Sequence, residues 1–420
     1  MEKIKISLYD LLKCISNAQD LISPRLSNHQ KQVAYLSYIL ACEMKLSIID
    51  QRDIFLAALV HDIGALSKSE RLEIIEAEPM TIHNHAFIGA KLLDGFKPMK
   101  RSVRIIRYHH MNWDEERGTR FQGNEVPYGS HIIHLADRVC LMIRPEENVL
   151  SQIPQIIERI SEKSGSVYDP KLVDILKSIC RDEYIWLNII SNSPISKVNT
   201  SLFEISELEI DDIIDLSFIF SQIIDFRSSF TARHSAGVAR ISERLASLIG
   251  FSPVECKMML VAGYLHDIGK LAIDNAVLEK PTKLDEEEFN EIRSHTYYTY
   301  QLLDMIPQFK IINEWASYHH ERLDGRGYPF HIKGDNLSYG SRIMAVADVF
   351  TAITENRPYR LGMSDVHAVK VLENMVESGA LDKNVVNVLK DNFQMINELR
   401  EFSQEEAASR YEKFLSIELE

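Results

Sequence analysis

Long apolar runs are missing from this chain. The strongest, such as "IFLAALV" at 54–60, fall well short of the ~18 consecutive residues a membrane-spanning helix needs, so no transmembrane helix is expected. A secretory leader is missing too. The opening "MEKIKISLYDLLKC" carries acidic residues and has no apolar core before a small-residue cleavage site, which makes the cytoplasm the expected compartment. Cysteine is scarce: the five (Cys14, Cys42, Cys140, Cys180, Cys256) form no C-x-x-C pair and are odd in number. Such spacing argues against disulfides and zinc ligation and fits buried free thiols in a reducing compartment. Positive charge is in deficit, 47 Lys and Arg against 61 Asp and Glu for a net charge of −14. A nucleic-acid polymer is therefore not an expected partner, because such binding needs a broad basic surface. A small anionic ligand stays admissible where metals and a few basic residues offset that field locally. Alternating strand patterns are also scarce, which leaves an all-α fold.

At 420 residues the chain exceeds one hydrophobic core and fits two domains of about 200 residues each. Its 45% hydrophobic and 26% charged residues are those of an ordinary globular protein. Helical signals dominate. "TARHSAGVARISERLASLIG" offers Thr231 as N-cap, one apolar stripe and Gly250 as a stop. "FSPVECKMMLVAGYLHDIG" starts with Ser252 as cap and Pro253 at the first helical position, and is apolar nearly all round, which predicts a central buried helix. Asp285 with Glu288 forms a capping box.

Histidine is what the chain has in a conspicuous order. His29 and His61 are 32 residues apart, as are His234 and His266. His85 and His109 are 24 apart, as are His295 and His319. Only the middle interval differs, 24 residues from His61 to His85 against 29 from His266 to His295, the mark of a loop insertion. The flanks agree as well: "VHDIGAL" against "LHDIGKL", and "YGSHIIHLADRV" against "YGSRIMAVADVF". Ten of the fifteen histidines fall on this grid, five per half, which points to an internal duplication.

Each half thereby offers seven donors: His29, His61, Asp62, His85, His109, His110 and Asp137, then His234, His266, Asp267, His295, His319, His320 and Asp348. Mixed imidazole and carboxylate donors suit iron, manganese, cobalt, nickel or zinc better than magnesium or calcium. Seven are too many for one ion. With an aspartate bridging, they suffice for two ions roughly 3.5–4 Å apart, which activate water and clamp both oxygens of a phosphoryl displacement. A single histidine in an apolar helix is ordinarily a hydrogen-bonded core residue. Here a His-Asp pair sits in the middle of such a helix, twice, where an unpaired carboxylate is costly unless it meets a cation. The off-grid His83, His131, His134, His331 and His367 are expected at the surface or behind the ligands.

"YLHDIGK" (264–270), His295, "HHERLDGRGYP" (319–329), "ADVFTAI" (347–353) and "RPYR" (357–360) together resemble the HD-GYP family, bacterial phosphodiesterases that hydrolyse cyclic dinucleotides, chiefly cyclic di-GMP. The resemblance spans residues 208–400, and the first half resembles only the wider HD phosphohydrolase superfamily. It implies an all-α chain of tandem HD-type helical domains, residues 1–190 and an HD-GYP domain with a C-terminal helical tail at 208–420, separated by a linker at 191–207 where the polar, proline-containing "SNSPISKVNTS" (191–201) stands. His234, His266, Asp267 and Asp348 would hold one metal, and Asp267 would bridge to a second held by His295, His319 and His320. Two divalent transition metals are implied, iron or manganese first, with nickel, cobalt or zinc admissible. A hydroxide between them would attack phosphorus and expel the ribose 3′ oxygen, leaving a linear 5′-phosphorylated dinucleotide. Lys270, one helical turn past His266, would balance charge on the phosphate. Arg357 and Arg360 would meet phosphate or guanine edges. Asp324 and Tyr328 would complete the substrate loop, with Gly325 and Gly327 permitting positive φ.

The chain departs from the family in several places. Acidic residues that some members carry four and six positions before the first ligand histidine are Phe230 and Ser228 here, which favours two metals over three. Thr351 stands where an acidic residue often follows the last ligand aspartate, and this leaves room for a cyclic GMP–AMP hybrid as substrate. The first half keeps its donors but has Ala65 for Lys270 and "DEERGT" for "DGRGYP". It is either a phosphatase acting on the 5′ phosphate of the linear product or a regulatory or dimerising module with a structural metal, and a homodimer is admissible. A receptor that binds without cleaving is disfavoured, because all fourteen donors are kept.

Overall fold

A computed structural model describes residues 5–22, 26–65, 83–115, 117–199, 207–226, 233–280, 282–356 and 361–415. The chain divides into two units, Ser7–Glu207 and Leu208–Glu418, the latter also taking in the residues through Ile6.

The first unit contains helices α1 (Leu8–Ile22), α2 (His29–Glu43), α3 (Ile48–Ala58), α4 (His83–Leu93), α5 (Lys100–Arg107), α6 (Tyr128–Leu141), α7 (Val149–Glu162), α8 (Pro170–Ile179) and α9 (Glu183–Ile189). Ser47, Asn148 and Asp169 start α3, α7 and α8 by accepting from backbone N–H groups of the first turn. α2 packs on α3 and α6, and α5 on α3, α4 and α6. Val33, Leu36, Leu40, Phe55, Leu59, Ile106, Ile132 and Leu135 fill the interior between them, each buried side chain contributing about 1.5–3 kcal/mol. Between α5 and α6 a short hairpin pairs β1 (Arg120–Phe121) with β2 (Asn124–Glu125) in antiparallel register, Arg120 opposite Glu125. Gln122 and Gly123 make its turn with φ of 47° and 81°, the positive pair that two-residue hairpins favour. Pro194 and Ile195, within the stretch expected as a linker, are buried in a 3-10 turn that packs on α2, so residues 191–199 belong to this unit.

The second unit repeats the plan with α10 (Ile210–Phe226), α11 (His234–Ile249), α12 (Pro253–Leu265), α13 (Glu286–Arg293), α14 (His295–Asp304), α15 (Lys310–Ser317), α16 (Tyr339–Thr354), α17 (Asp365–Glu377), α18 (Lys383–Asp391) and α19 (Phe393–Leu415). Ser252 and Glu255 form a capping box ahead of α12, Asp285 and Glu288 another ahead of α13, and Gly250 ends α11 at φ 102°. The expected cap Thr231 lies outside the described residues. α12 is buried from Met258 to Leu265 and packs on α10, α11 and α15, while α11 also packs on α16 and α19.

One expectation is corrected. The His-Asp pairs are not in mid-helix: α3 ends at Ala58 and α12 at Leu265, and Asp267 already has φ −101° and ψ 9°. The glycine two residues on explains why the helix stops. A Cβ on Gly269 would lie 1.9 Å from the His295 carbonyl oxygen, and one on Gly64 2.1 Å from that of His85. The turn therefore tucks directly under the helix carrying the next histidine, which a continuing α-helix could not do. Among the described residues, all five cysteines are free thiols, and no helix is long and apolar enough to cross a membrane.

Candidate metal centres

The duplicated helices set the donors of each half at matching places. His29 and His234 open α2 and α11, His61 and His266 follow α3 and α12, and His85 and His295 lie in the first turns of α4 and α14. The double histidines follow α5 and α15, while Asp137 and Asp348 project from α6 and α16.

In the second unit, Asp267 stands between two histidine groups. Its Oδ2 is 3.2 Å from His266 Nε2, and its Oδ1 is 3.4 Å from His295 Nε2 and 4.0 Å from His319 Nε2. On one side, donor atoms of His234, His266 and Asp348 lie within 4.8 Å of one another; on the other, so do those of His295, His319 and His320. His234 Nε2 is 3.0 Å from Asp348 Oδ1, and His320 Nδ1 reaches Asp348 Oδ2 at 3.9 Å.

Backbone carbonyls fix the tautomers. The Nδ1 atoms of His266, His295 and His319 donate to Gly263, Ile292 and Ala316, each three residues back, at 2.8, 2.5 and 2.6 Å. With the proton on Nδ1, each Nε2 presents a lone pair to the interior. His295 Nε2 and His319 Nε2 then face each other 3.3 Å apart, a contact that repels unless a cation lies nearby. His266 Nε2 and Asp267 Oδ1 are buried without a hydrogen-bond partner, at a cost of about 1–3 kcal/mol each. Burial pushes His295 down to about 3, and burial together with neighbouring imidazoles holds His319 well below the usual range. Neutral imidazole is the form that binds metal. Burial works against ionised Asp267, but His266 and Lys270 hold it well below the usual carboxylate range. Unpaired inward lone pairs and an ionised carboxylate between them fit divalent cations.

Lys270 Nζ donates to Asp267 Oδ2 at 2.6 Å from the 3-10 turn Ile268–Ala272. The loop after His320 is built by its own polar contacts. Buried Glu321 accepts from Phe330 N at 2.7 Å and Ile332 N at 3.1 Å. Asp324 takes Arg322 in two bonds of 3.1 and 2.7 Å and Arg326 N at 2.8 Å, so its carboxylate is committed to the loop itself. Gly325 has φ 75°, as expected, but Gly327 is not in the left-handed region. Glycine is required at 327 by close approach, because a Cβ there would lie 2.4 Å from both Arg322 N and Glu321 Cα. The Tyr328 ring lies 5.0 Å from that of His320, with the Arg293 guanidinium 5.0 Å from the Tyr328 ring centre. Thr351 spends its hydroxyl on Ala347 O at 2.8 Å. Arg357, Arg360, Phe230 and Ser228 lie outside the described residues.

The first unit assembles its donors in the same way. Asp62 Oδ2 is 3.3 Å from His61 Nε2, while its Oδ1 is 3.1 Å from His85 Nε2 and 3.8 Å from His109 Nε2. His29 Nε2 meets Asp137 Oδ1 at 3.0 Å, and His110 Nε2 meets His85 Nε2 at 3.0 Å. His61 and His109 donate Nδ1–H to Ala58 O and Ile106 O at 2.8 and 2.7 Å. Their Nε2 atoms and Asp62 Oδ1 are buried without hydrogen-bond partners. What differs is the surroundings. Ala65 is buried where the second unit has Lys270, Arg138 Nε lies 3.2 Å from Asp137 Oδ2, and the β1–β2 hairpin occupies the place of the glycine loop.

Of the off-grid histidines, His331 and His367 are exposed, and the side chain of His83 lies outside the described residues. His131 and His134 are buried, the latter with its ring 5.8 Å from that of His110. Three residues went unnoticed in the sequence. Thr299 accepts from Gly269 N and donates to His266 O, both at 3.0 Å, pinning the His-Asp turn to α14. Arg293 flanks Tyr328, and Glu355 Oε2 lies 3.1 Å from His234 Nδ1. Only Glu355 left a trace in the sequence, seven residues after Asp348 and so on the same face two helical turns on.

Residues 26–142 and residues 219–385 each match the HD domain family. The 3′3′-cGAMP-specific phosphodiesterase 1 of Vibrio cholerae serotype O1 is 31% identical over 405 residues, 94% of either chain. A second such enzyme of the same organism, 3′3′-cGAMP-specific phosphodiesterase 3, is 31% identical over 68% of this chain and 63% of its own. A cyclic di-GMP phosphodiesterase of Pseudomonas aeruginosa is 36% identical over 142 residues, 34% of either chain. The crystal structure of a V. cholerae cyclic GMP-AMP-specific phosphodiesterase covers 93% of this chain and 98% of its own at a TM-score of 0.65 and 22% identity, a likeness of fold. Two HD domains in tandem, and a relative alike from end to end, make this chain a member of the HD-GYP family of cyclic-dinucleotide phosphodiesterases.

Proposed function

We propose that residues 208–420 hydrolyse 3′3′-cGAMP at the Asp267 centre, opening the ring to a linear dinucleotide with a 5′ phosphate. The observation that carries this is Asp267 itself: its two oxygens face two histidine groups separately, and Lys270 lies on the same carboxylate. The choice of base is supported by the relative that matches nearly the whole chain, which is named for 3′3′-cGAMP. His234, His266 and Asp348 would hold one divalent cation, His295, His319 and His320 a second, with one Asp267 oxygen toward each. The donor set suits iron or manganese, with cobalt, nickel or zinc as substitutes. Bound there, such cations supply Lewis-acid polarisation of the phosphoryl group and activation of a water.

The chain's own residues do the rest. Lys270 balances the charge that grows on the phosphoryl oxygens. Tyr328, braced between His320 and Arg293, shapes the loop beside the His320 donor and holds a guanidinium near it. In the net reaction the water oxygen bonds to phosphorus, the P–O3′ bond breaks, and O3′ leaves with a proton. The test compares 3′3′-cGAMP, cyclic di-GMP and cyclic di-AMP as substrates of manganese- or iron-loaded protein. Fastest ring opening is expected for 3′3′-cGAMP. Preference for cyclic di-GMP would overturn the base assignment, and no ring opening of any of them would overturn the activity.

The first centre favours a second activity. Its donors are complete and His61 Nε2, His109 Nε2 and Asp62 Oδ1 are buried without hydrogen-bond partners, but it has neither the lysine nor the glycine loop. A smaller phosphomonoester, the 5′ phosphate of the linear product, suits such a site. Asp267→Ala protein given linear pApG is expected to release inorganic phosphate. No release would leave the first unit a regulatory or dimerising body with a structural metal.

A further inference from the structure

One histidine of the second centre is held by a buried carboxylate that is not itself among the donors. His266, His295 and His319 give their Nδ1–H to neutral carbonyls, whereas His234 Nδ1 lies 3.1 Å from the Glu355 carboxylate. Glu355 is 4% exposed, and a carboxylate buried that deeply needs partners. Its Oε2 also accepts from Gln404 Nε2 at 3.2 Å. Gln404 Oε1 in turn accepts from Arg400 Nη1 at 2.6 Å, which settles the amide orientation and makes its nitrogen the donor toward Glu355. Gln404 and Arg400, 6% and 5% exposed, both belong to α19. Gly237, one turn past His234, leaves the room: a Cβ there would lie 3.1 Å from Gln404 Nε2. At the matching position of the first unit, seven residues after Asp137, stands Arg144, which pairs with Glu147 instead.

We propose that Glu355, fixed by Gln404 and Arg400, is a positioning residue of the second metal centre, through which helix α19 sets that centre's metal affinity. The assignment rests on the metal-centre proposal above. A carboxylate on Nδ1 holds the ring with Nε2 turned to the ion, and its charge makes that nitrogen a stronger donor than a carbonyl partner does. Asp348 Oδ1, 3.0 Å from the same Nε2, would share the ion with it.

Full-length Asp62→Ala protein, stripped of the first centre's bridging carboxylate, is the background for the test. Mn2+ binding is measured by calorimetric titration, and thermal unfolding is followed in the chelated state. Glu355→Ala is expected to weaken Mn2+ binding roughly 10- to 100-fold. Glu355→Gln, which keeps an acceptor for Nδ1–H but no charge, is expected to fall between, and Gln404→Ala to shift affinity in the same direction by less. Excess Mn2+ is expected to restore ring opening in Glu355→Ala, and chelated Glu355→Gln to melt with its parent. Unchanged affinity in Glu355→Ala overturns the proposal. So does equal loss in both Glu355 variants with matching loss of chelated stability, which would reduce Glu355 to a fold-stabilising partner. If the Asp62→Ala parent binds no Mn2+ at all, it is the underlying metal-centre proposal that fails.

Discussion

Asp267 and Asp62 each divide their two oxygens between separate histidine groups, and the side chain beside them is where the two centres part. Lys270 lies 2.6 Å from Asp267, while Ala65 in the first unit can supply no charge. Lys270→Ala is therefore expected to lower kcat for the cyclic dinucleotide about 10²- to 10³-fold, as loss of one fixed electrostatic partner does, with bound metal unchanged by elemental analysis. Loss of metal along with activity would make Lys270 a support for Asp267 instead. Titration offers a second check at this scale. In the metal-free protein, burial lowers His61, but Asp62 and Asp137 outweigh it and push the imidazole up to about 9; Glu355 and Asp348 likewise push His234 up to about 10. A raised folded pKa stabilises fully below the unfolded value near 6.5, and that stability is lost as pH climbs through the folded one. Melting temperature of chelated protein is expected to fall between pH 7 and 10, and that of Mn2+-loaded protein to fall less. A chelated melting temperature that holds steady across that window contradicts the cation-seeking character of both centres.

At the scale of elements, the histidine spacing was legible because ligands must recur at fixed offsets when helices are duplicated. Helix caps at Ser252 and Asp285 were legible for a local reason: the cap and its partner are three residues apart. The end of α12 was not, since what stops it is the His295 carbonyl pressing on Gly269. Gly327 is similar: the sequence suggests torsional freedom, and the structure shows a close approach of backbone to backbone. Gly327→Ala is expected to displace the loop, raise KM and cut ring opening at least tenfold, with a stability loss of about 1–3 kcal/mol, while elemental analysis finds the metals retained. Wild-type turnover in Gly327→Ala would show that the loop is not part of the substrate site. The seven-residue spacing from Asp348 was the one legible trace of Glu355; its bonds to His234 and Gln404 were illegible for the same reason as Gly269, since they join residues 121 and 49 apart.

At the scale of the whole molecule, the chain carries two His-Asp clusters of matching geometry, which we propose as metal centres, in unlike surroundings. The second has Lys270, the Tyr328 loop and the Glu355 support; the first has Ala65, a hairpin and the Arg138–Asp137 pair. On the proposed reading, the duplicated helical frame would keep the metal donors while the segments between helices would change the substrate. The most direct measurement is product analysis by chromatography after Mn2+-loaded wild type, Asp62→Ala and Asp267→Ala have each met 3′3′-cGAMP. Wild type and Asp62→Ala are expected to open the ring, with linear dinucleotide accumulating in Asp62→Ala, and Asp267→Ala to leave the ring intact. Ring opening that survives in Asp267→Ala, or is lost in Asp62→Ala, would contradict the assignment of unequal centres.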